Sequence, residues 1–481
     1  MSFLIKDNAL VFSVFLLGFA LRIYNLDSQS LWFDEAYSYK MSVLGVTGIL
    51  NAIIAESENH PPVYYWLLYF WTSMFGYSEF SLRLLSAITG SLSIPLVYLF
   101  GKTIFNRRTG FLAALIMALS SYQIYYSQEA RSYALMVLLA LLSYYFFIGL
   151  FENYSFRRAV CYVLSSIILM YTHYLGGMIV IAQNAYYLTR FIFGPRHVVP
   201  PLKKWIIMQS ILVLSVLPQA YLLMGSSALH EDFWIPRPNL KMIAGSLLEF
   251  SGSWPLFILF FLLCLYSIIN ARELKRGVGL RTLLTSVKGY STGLDMSNIW
   301  RVYLLSLLTT VPTVIPVILS ILYKPLFQTR YAIPASIGLY VLTAKGIDNI
   351  QRRAAKFIVT TLVLALSIMS IHHYYQNPEK HEWREAAHYV EDNAHPGDLV
   401  LIYPEHEMDS ANYYFKKGNQ KLSSIYDKSA LAALHGSGDI WIISSFHGDM
   451  IEKYDLPSEN RFLLERHFRK IKVYRLEGLP E

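Results

Sequence analysis

Long apolar stretches, separated by short polar clusters, occupy the chain up to about residue 377. A straight helix needs about 20 apolar residues to cross the hydrocarbon core of a bilayer. Eleven stretches approach that length, and we predict that each forms a membrane-spanning helix. They are residues 8–24, 84–101, 109–126, 132–151, 159–172, 174–193, 205–224, 252–270, 302–322, 331–344 and 355–371. The pattern therefore predicts an all-α polytopic membrane domain.

The aromatic stretch 61–76 is ambiguous, because it begins with two prolines and is short for a span. Cytoplasmic loops of membrane proteins carry an excess of Lys and Arg. With 61–76 at the interface and the N-terminus inside, 20 of the 28 bases in residues 1–378 fall on the cytoplasmic side. Counting 61–76 as a span would move every later basic cluster to the other side. We therefore predict a cytoplasmic N-terminus and an interfacial helix in the first outer loop.

The composition fits a multi-pass protein of the cell membrane. Hydrophobic residues make up 54% of the chain and charged residues 15%, whereas soluble domains average about 25% charged residues. The net charge of +8 divides into +13 for residues 1–378 and −5 for residues 379–481. The bases lie in short clusters between apolar runs, so they do not indicate nucleic acid. The two cysteines, Cys161 and Cys264, lie in separate runs, which excludes a disulfide scaffold or a zinc ribbon.

The tail has a different character and predicts a second domain. We place the boundary between a transmembrane catalytic domain, residues 1–377, and a small α/β domain, residues 378–481. An odd number of spans puts the tail outside the cytoplasm. Helical spacing at 381–393 predicts one helix, and short apolar runs after turn residues predict strands. These strands are expected at 399–403, 440–443 and 470–476.

Charged residues at the outer edge of the membrane are candidates for function, because charge is costly there. Asp34 and Glu35 follow the first span within an aromatic stretch. One carboxylate could act as a general base and the other could bind a metal, a sugar hydroxyl or an Arg. The structural alternative is that both acids only charge the first turn of an interfacial helix.

Later outer loops supply further polar candidates. Pro61 holds His60 extended, where it could donate to a phosphate or simply be solvated. Glu129 and Arg131 lie between two spans and could form a structural ion pair instead. Arg330 opens a span from outside, which suits bidentate phosphate recognition or plain membrane anchoring.

Two other polar segments carry weaker signals. His173 falls in a very short outer turn, where a satisfied interface histidine is the plainer interpretation. The loop 225–250 contains His230-Glu231-Asp232. These residues could bind a metal, but a polar loop tip is the simpler interpretation.

These residues and their order resemble the GT-C glycosyltransferases. The first-loop Asp34-Glu35 and His60-Pro61-Pro62 are similar to the glycosyltransferase family 39-like group, whose relatives include protein O-mannosyltransferases and lipid A aminoarabinose transferases. The resemblance covers most of residues 10–345. Further matching pieces are Tyr126–Tyr133, Thr172-His173-Tyr174, Trp234-Ile235-Pro236 and Arg330–Pro334.

The resemblance implies an inverting transfer from a polyprenyl-monophosphate sugar to an acceptor outside the cytoplasm. Asp34 would be the catalytic base, Glu129 the second-loop acid and Arg330 the basic residue near the lipid phosphate. Position 60 is His where aminoarabinose transferases have Lys, and position 129 is Glu where relatives often have Asp. We thus expect Asp34 and Glu35 as catalytic residues, and a substrate-binding set of His60, Glu129, Arg131, His173, Arg330 and Tyr331.

The expected partners follow from the same resemblance. They are a polyprenyl-phosphate-linked sugar donor, membrane lipid and a glycan, lipid or protein acceptor. No cofactor is implied with certainty, and a divalent metal stays open because metal dependence varies within the superfamily. The rival hypothesis is a transporter or flippase of lipid-linked sugars, which predicts paired repeats and charges in mid-membrane. The charges cluster at the outer edge instead, which favours an enzyme.

Overall fold

The structure is a computed structural model, and a few segments of the chain lie outside our description. The described residues are 2–55, 60–194, 199–225, 237–271, 296–416, 420–426, 439–445 and 462–476.

The chain forms two compact units that alternate along the sequence. The second unit combines the tail with two stretches of the first predicted outer loop, so it is not a simple C-terminal addition. The first unit consists of Met1–Tyr24, Thr47–Leu67 and Leu85–Gln376, and the second of Asn25–Val46, Leu68–Leu84 and Asn377–Glu481.

Every predicted apolar run contains helix, and residues 61–76 contribute a short helix of their own. The described α-helices, in chain order, are α1 (Ser2–Ile23), α2 (Phe33–Ser42), α3 (Gly45–Ala55), α4 (Val63–Phe75), α5 (Glu79–Ile104), α6 (Arg107–Ala118), α7 (Ser121–Ser127), α8 (Tyr133–Glu152), α9 (Phe156–Met170), α10 (Gly177–Phe193), α11 (Leu202–Gly225), α12 (Leu240–Ser251), α13 (Trp254–Ala271), α14 (Met296–Leu322), α15 (Ala335–Asn349), α16 (Arg353–Gln376), α17 (Trp383–Asn393) and α18 (Met408–Tyr414).

In the described residues, fewer helices than eleven are long and apolar enough to cross a bilayer unaided. Within the described parts of the chain, five helices meet that standard: α5, α8, α11, α14 and α16. The consecutive helices α12 and α13 form a sixth candidate, bent by 96°. The protein is therefore a multi-pass membrane protein, and the number eleven stays a prediction.

One predicted span is interrupted, and a buried arginine explains how the break is tolerated. The run 109–126 divides into α6 and α7, and the Ser120 side chain caps the new helix by accepting the N–H of Gln123. Arg22, fully buried, donates to the carbonyls of Met117 and Ala118 at 3.1 and 3.3 Å. Those carbonyls end α6, where helical partners are missing.

Helix α15 forms the centre of the first unit. It packs against α6, α13 and α14, and most of its residues are buried. Near it, Gly252 makes the turn between α12 and α13 with a φ of 88°, a conformation that favours glycine. A Cβ there would also lie 2.5 Å from the Ser121 hydroxyl. The bend thus needs glycine for both reasons.

The second unit contains a five-stranded mixed sheet in the order β2-β1-β3-β5-β4. The pairs β1–β2 and β1–β3 are parallel, whereas β3–β5 and β4–β5 are antiparallel. In register, Leu399 lies opposite Lys421 and Ile440. The strands are β1 (Leu399–Tyr403), β2 (Lys421–Ser424), β3 (Ile440–Ser444), β4 (Phe462–Phe468) and β5 (Ile471–Leu476).

Strands β1 and β3 are buried over almost their whole length. That burial matches their continuous apolar sequences, as expected for strands covered on both faces. The Asp398 carboxylate ties them together by accepting the N–H of Asp439 at 3.1 Å and the indole N–H of Trp441 at 3.1 Å. The predictions for β1, β3 and β5 are confirmed, and β2 and β4 were not foreseen.

Candidate functional site

Four chain segments bring polar side chains together in the first unit. His60 precedes α4, Arg131 lies between α7 and α8, His173 follows α9, and Arg330 lies in a short 3-10 helix before α15. We call these residues, with Tyr133 and Tyr331, the histidine–arginine cluster. Five of the six predicted substrate-binding residues thus meet at one place.

Arg131 and His60 form the polar contact at the core of this cluster. Arg131, 4% exposed, places Nη2 3.0 Å from His60 Nε2 and Nη1 3.5 Å from the Tyr65 hydroxyl. A guanidinium can only donate, so His60 Nε2 must accept. His60 is therefore neutral in this contact, with its proton on Nδ1.

His173 is also neutral, with the opposite tautomer. Its Nδ1 accepts the N–H of Leu175 at 3.2 Å and so caps the 3-10 helix Tyr174–Gly176. Burial lowers the pKa of His173 well below its usual value, and the charges of Arg131 and Arg330 lower it further. The remaining proton therefore lies on Nε2, which makes His173 a neutral hydrogen-bond donor.

Aromatic rings hold Arg330 and link it to the histidines. The Arg330 guanidinium carbon lies 5.5 Å from the centre of the Tyr331 ring and 6.0 Å from that of Tyr133. The His173 ring lies 5.0 Å from Tyr331 and 5.7 Å from the His60 ring. Cation–π contacts orient a guanidinium without neutralising it.

Glu129, the sixth predicted residue, is buried beside Arg131. It is 1% exposed, and its backbone carbonyl accepts the N–H of Arg131 at 2.8 Å. The cluster thus combines two guanidinium groups, two neutral imidazoles, two aromatic rings and one adjacent carboxylate. Chemically, the guanidinium and imidazole N–H groups suit an anion with several oxygens, such as a phosphate.

The second unit contains a different centre, built on Glu35. Glu35 is fully buried and accepts from Arg83 at 2.7 and 2.8 Å, and from Lys380 Nζ at 2.9 Å. We call these three residues the Glu35 centre. Arg83 donates its three other N–H groups to the backbone carbonyls of Leu26, Gln29 and Ser30.

All five guanidinium donors of Arg83 therefore have protein acceptors. The centre fixes the segment after α1 to α5, and the backbone N–H of Lys380 donates a further hydrogen bond of 3.0 Å to the Gln29 side chain. This geometry is that of a closed structural ion cluster.

Asp34, next to Glu35 on α2, has another environment. It is half-buried, and the adjacent Phe33 ring contacts the His406 ring with centroids 4.8 Å apart. Glu407 lies in the same region of the tail, and burial raises its pKa to about 6, with the Asp34 charge contributing in the same direction. The two neighbouring acids thus have clearly separate surroundings.

The described residues contain no group of three or more His, Cys, Asp or Glu side chains placed to hold a metal ion. The predicted metal-binding loop tip His230–Asp232 lies outside the described residues, as does Trp234-Ile235-Pro236.

Sequence reasoning missed the residues that complete both groups. Arg83 carried a usable signal, because it is a charge directly before the predicted span 84–101. The only sequence signal for Tyr133 was its position at the end of the segment Tyr126–Tyr133, which resembles the family. Lys380 gave no signal, since 345 residues separate it from Glu35.

Comparisons with known proteins identify a family match over part of the chain and a fold match over nearly all of it. The family model for dolichyl-phosphate-mannose-protein mannosyltransferases matches residues 59–221, a range that contains His60, Glu129, Arg131 and His173. No curated protein matches the chain by sequence.

Solved structures show the fold over nearly the whole chain. ArnT from Cupriavidus metallidurans, bound to undecaprenyl phosphate, is 10% identical, with a TM-score of 0.60 and 98% of each chain covered. Its apo form is 11% identical, with a TM-score of 0.62 and the same coverage. AglB, the archaeal oligosaccharyltransferase from Archaeoglobus fulgidus, in complex with an inhibitory peptide and a dolichol-phosphate, is 12% identical, with a TM-score of 0.54, covering 91% of this chain and 69% of that one.

The helical architecture and the family match together define the class. The chain is a membrane glycosyltransferase of GT-C fold. Its resemblance to the family 39-like group, predicted from the sequence, is confirmed.

Proposed function

We propose that the protein transfers a sugar from a polyprenyl-monophosphate donor to an acceptor hydroxyl on the extracytoplasmic face, with inversion at the anomeric carbon. The histidine–arginine cluster is the observation that carries this proposal. The similar structures of ArnT and AglB contain undecaprenyl phosphate and dolichol-phosphate respectively, which supports the same class of lipid here.

Arg330 and Arg131 are the proposed phosphate ligands. Both are guanidinium groups, whose planar donors match phosphate oxygens. Arg330 is oriented by the rings of Tyr133 and Tyr331. Neutral His173 would add a hydrogen bond from Nε2 at any pH where its imidazole stays unprotonated.

The reaction needs one base and one stabilised leaving group. The acceptor oxygen forms a bond to the anomeric carbon while the bond from that carbon to the phosphate oxygen breaks. The acceptor proton passes to Asp34, and the electron pair of the broken bond stays on the departing polyprenyl phosphate. The arginines stabilise this developing charge. The role of Asp34 rests on the family resemblance.

Glu35 receives a different role in this proposal. Its two oxygens already accept from Arg83 and Lys380, so it is poorly placed to take a proton. We assign it as a positioning residue that fixes the start of α2, and with it Asp34.

A transfer assay tests the proposal. Membranes with the wild-type protein or Asp34→Asn receive a panel of synthetic polyprenyl-monophosphate hexoses and pentoses, and mass spectrometry measures the released polyprenyl phosphate and glycosylated product. The amide keeps the shape of Asp34 but removes its basicity. We expect turnover to fall by about 10²–10⁴-fold, with little change in binding of polyprenyl monophosphate.

Expression of each variant is checked by immunoblotting of the membranes. A well-expressed Asp34→Asn variant with wild-type turnover would exclude the base assignment. The anomeric configuration of the product, read by NMR, tests inversion separately.

A further inference from the structure

A cavity of about 230 Å³ lies in the first unit and shares no lining residue with the histidine–arginine cluster. The ends of α5, α8 and α10 and the start of α14 surround it. The predicted topology places all four of these helix ends on the cytoplasmic side. Its lining includes Phe151, Glu152, Tyr186, Arg190, Trp300 and Arg301.

Arg190 is the unusual member of this lining. It is 8% exposed, and its guanidinium carbon lies 4.7 Å from the centre of the Trp300 ring. The guanidinium forms no hydrogen bond or ion pair with any residue in the described ranges, and its Nε is buried without an acceptor.

Trp300 likewise has a buried N–H donor without an acceptor in the described ranges. It is 9% exposed, and its indole Nε1 is also buried without an acceptor among the described residues. Buried polar groups are hydrogen-bonded as a rule. Two unsatisfied donors in one cavity, one of them a cation stacked on the other's ring, therefore call for an acceptor that carries negative charge.

The charge around the cavity points the same way. Arg301 adds a second guanidinium, and Glu152, the one acid among the described lining residues, is exposed. Apolar side chains on the same end of α10 are exposed as well: Ile192 is 65% exposed and Phe193 60%. Such a basic pocket next to lipid-facing apolar surface is typical of sites for anionic lipid headgroups.

We propose that this cavity binds a phosphate group, with Arg190 and Trp300 donating hydrogen bonds and Arg301 adding charge. The exposed apolar flank favours the phosphodiester headgroup of an anionic phospholipid as the source. Free phosphate shares the chemistry and is distinguished by experiment. The proposal is independent of the proposed sugar transfer.

Native mass spectrometry of the full chain in detergent tests this site. The protein is titrated with phosphatidylglycerol, phosphatidylcholine or inorganic phosphate. Arg190→Gln removes the charged guanidinium, and Trp300→Phe removes the indole N–H while keeping an aromatic ring beside Arg190. The matched control is Arg352→Gln, which removes an exposed positive charge on the same predicted face.

We expect one phosphatidylglycerol to bind the wild-type protein and Arg352→Gln more tightly than phosphatidylcholine. Arg190→Gln should weaken that binding by at least about tenfold, since a charge-assisted bond is lost, and Trp300→Phe by less. Unfolding curves in detergent confirm that each variant is folded. Equal binding of phosphatidylglycerol by Arg190→Gln and Arg352→Gln would overturn the site. Competition by inorganic phosphate at equal concentration would overturn the lipid as its source.

Discussion

The Glu35 centre and the histidine–arginine cluster both contain buried arginines, but their hydrogen-bond partners differ in kind. Arg83 donates all five N–H groups to one carboxylate and three backbone carbonyls. Arg131 donates to an imidazole and a phenol, and Arg330 lies over two aromatic rings. The first arrangement satisfies every N–H donor of the cation, whereas the second places its cations beside an imidazole, a phenol and aromatic rings.

This difference separates structural charge from charge kept for a ligand. A saturated ion cluster holds a loop in place but has nothing to offer a substrate. In the histidine–arginine cluster, imidazole, phenol and aromatic rings orient the guanidinium groups, and Glu129 lies beside Arg131. Burial alone therefore does not identify functional charge, and the kind of hydrogen-bond partner has to be considered as well.

Glu35→Gln is the strongest way to break the comparison. The amide leaves Arg83 and Lys380 buried beside a neutral group, and breaking a buried pair costs about 3–5 kcal/mol. We expect a large fall in the midpoint of thermal unfolding in detergent. Asp34→Asn on the same helix turn is the matched control and should barely change that midpoint. If the two variants unfold alike, Glu35 is not the structural residue that its contacts indicate.

The sequence predicted the helical membrane domain well, because membrane spans must be apolar and helical whatever their neighbours are. Periodicity and turn residues also located β1, β3 and β5. The interruption at residues 119–120 was not predicted, because it depends on Arg22, which satisfies carbonyls about 95 residues away. A contact between residues so far apart in the chain cannot be predicted from short stretches of sequence.

The candidate site shows the same limit. The substrate-binding residues could be chosen because charge near a membrane is rare and costly. The distinction between Asp34 and Glu35 could not be made, because both are carboxylates at one place in the sequence. It depends on Arg83 and Lys380, which reach Glu35 from distant parts of the chain.

Arg330 tests the other side of the comparison. Arg330→Ala should raise the KM for the polyprenyl-phosphate donor by about 10–100-fold, since a hydrogen bond to a charged group contributes about 1.5–3 kcal/mol. Arg330→Lys should recover only part of this loss, because a point charge replaces a planar fork. Steady-state kinetics with the labelled donor measure both. Unchanged kinetics in the alanine variant would reassign Arg330 to membrane anchoring.

Glu407 sharpens the comparison within the second unit, because it is a buried carboxylate with which no Lys or Arg of the described residues forms an ion pair. Its Oε2 accepts from the Ser410 hydroxyl at 2.8 Å, and His381 Nδ1 lies 3.6 Å from its Oε1. Burial raises its pKa to about 6 from an ordinary value of 4.5. The folded state therefore holds this proton more tightly than the unfolded state does.

The sign of the pH effect follows from that difference. The stabilisation is complete below about pH 4.5 and is lost as the pH rises through about 6, a change of about 1–2 kcal/mol. Glu407→Gln keeps a neutral side chain at every pH and should lack this loss between pH 4.5 and 7. The measurement is the unfolding midpoint as a function of pH, with the exposed neighbour variant Glu405→Gln as control and His381→Asn to separate the titration of that histidine. A Glu407→Gln curve parallel to wild type would mean that Glu407 ionises in the folded protein as freely as in the unfolded chain. In that case, the absence of a Lys or Arg partner in the described residues would not make Glu407 behave differently from Glu35.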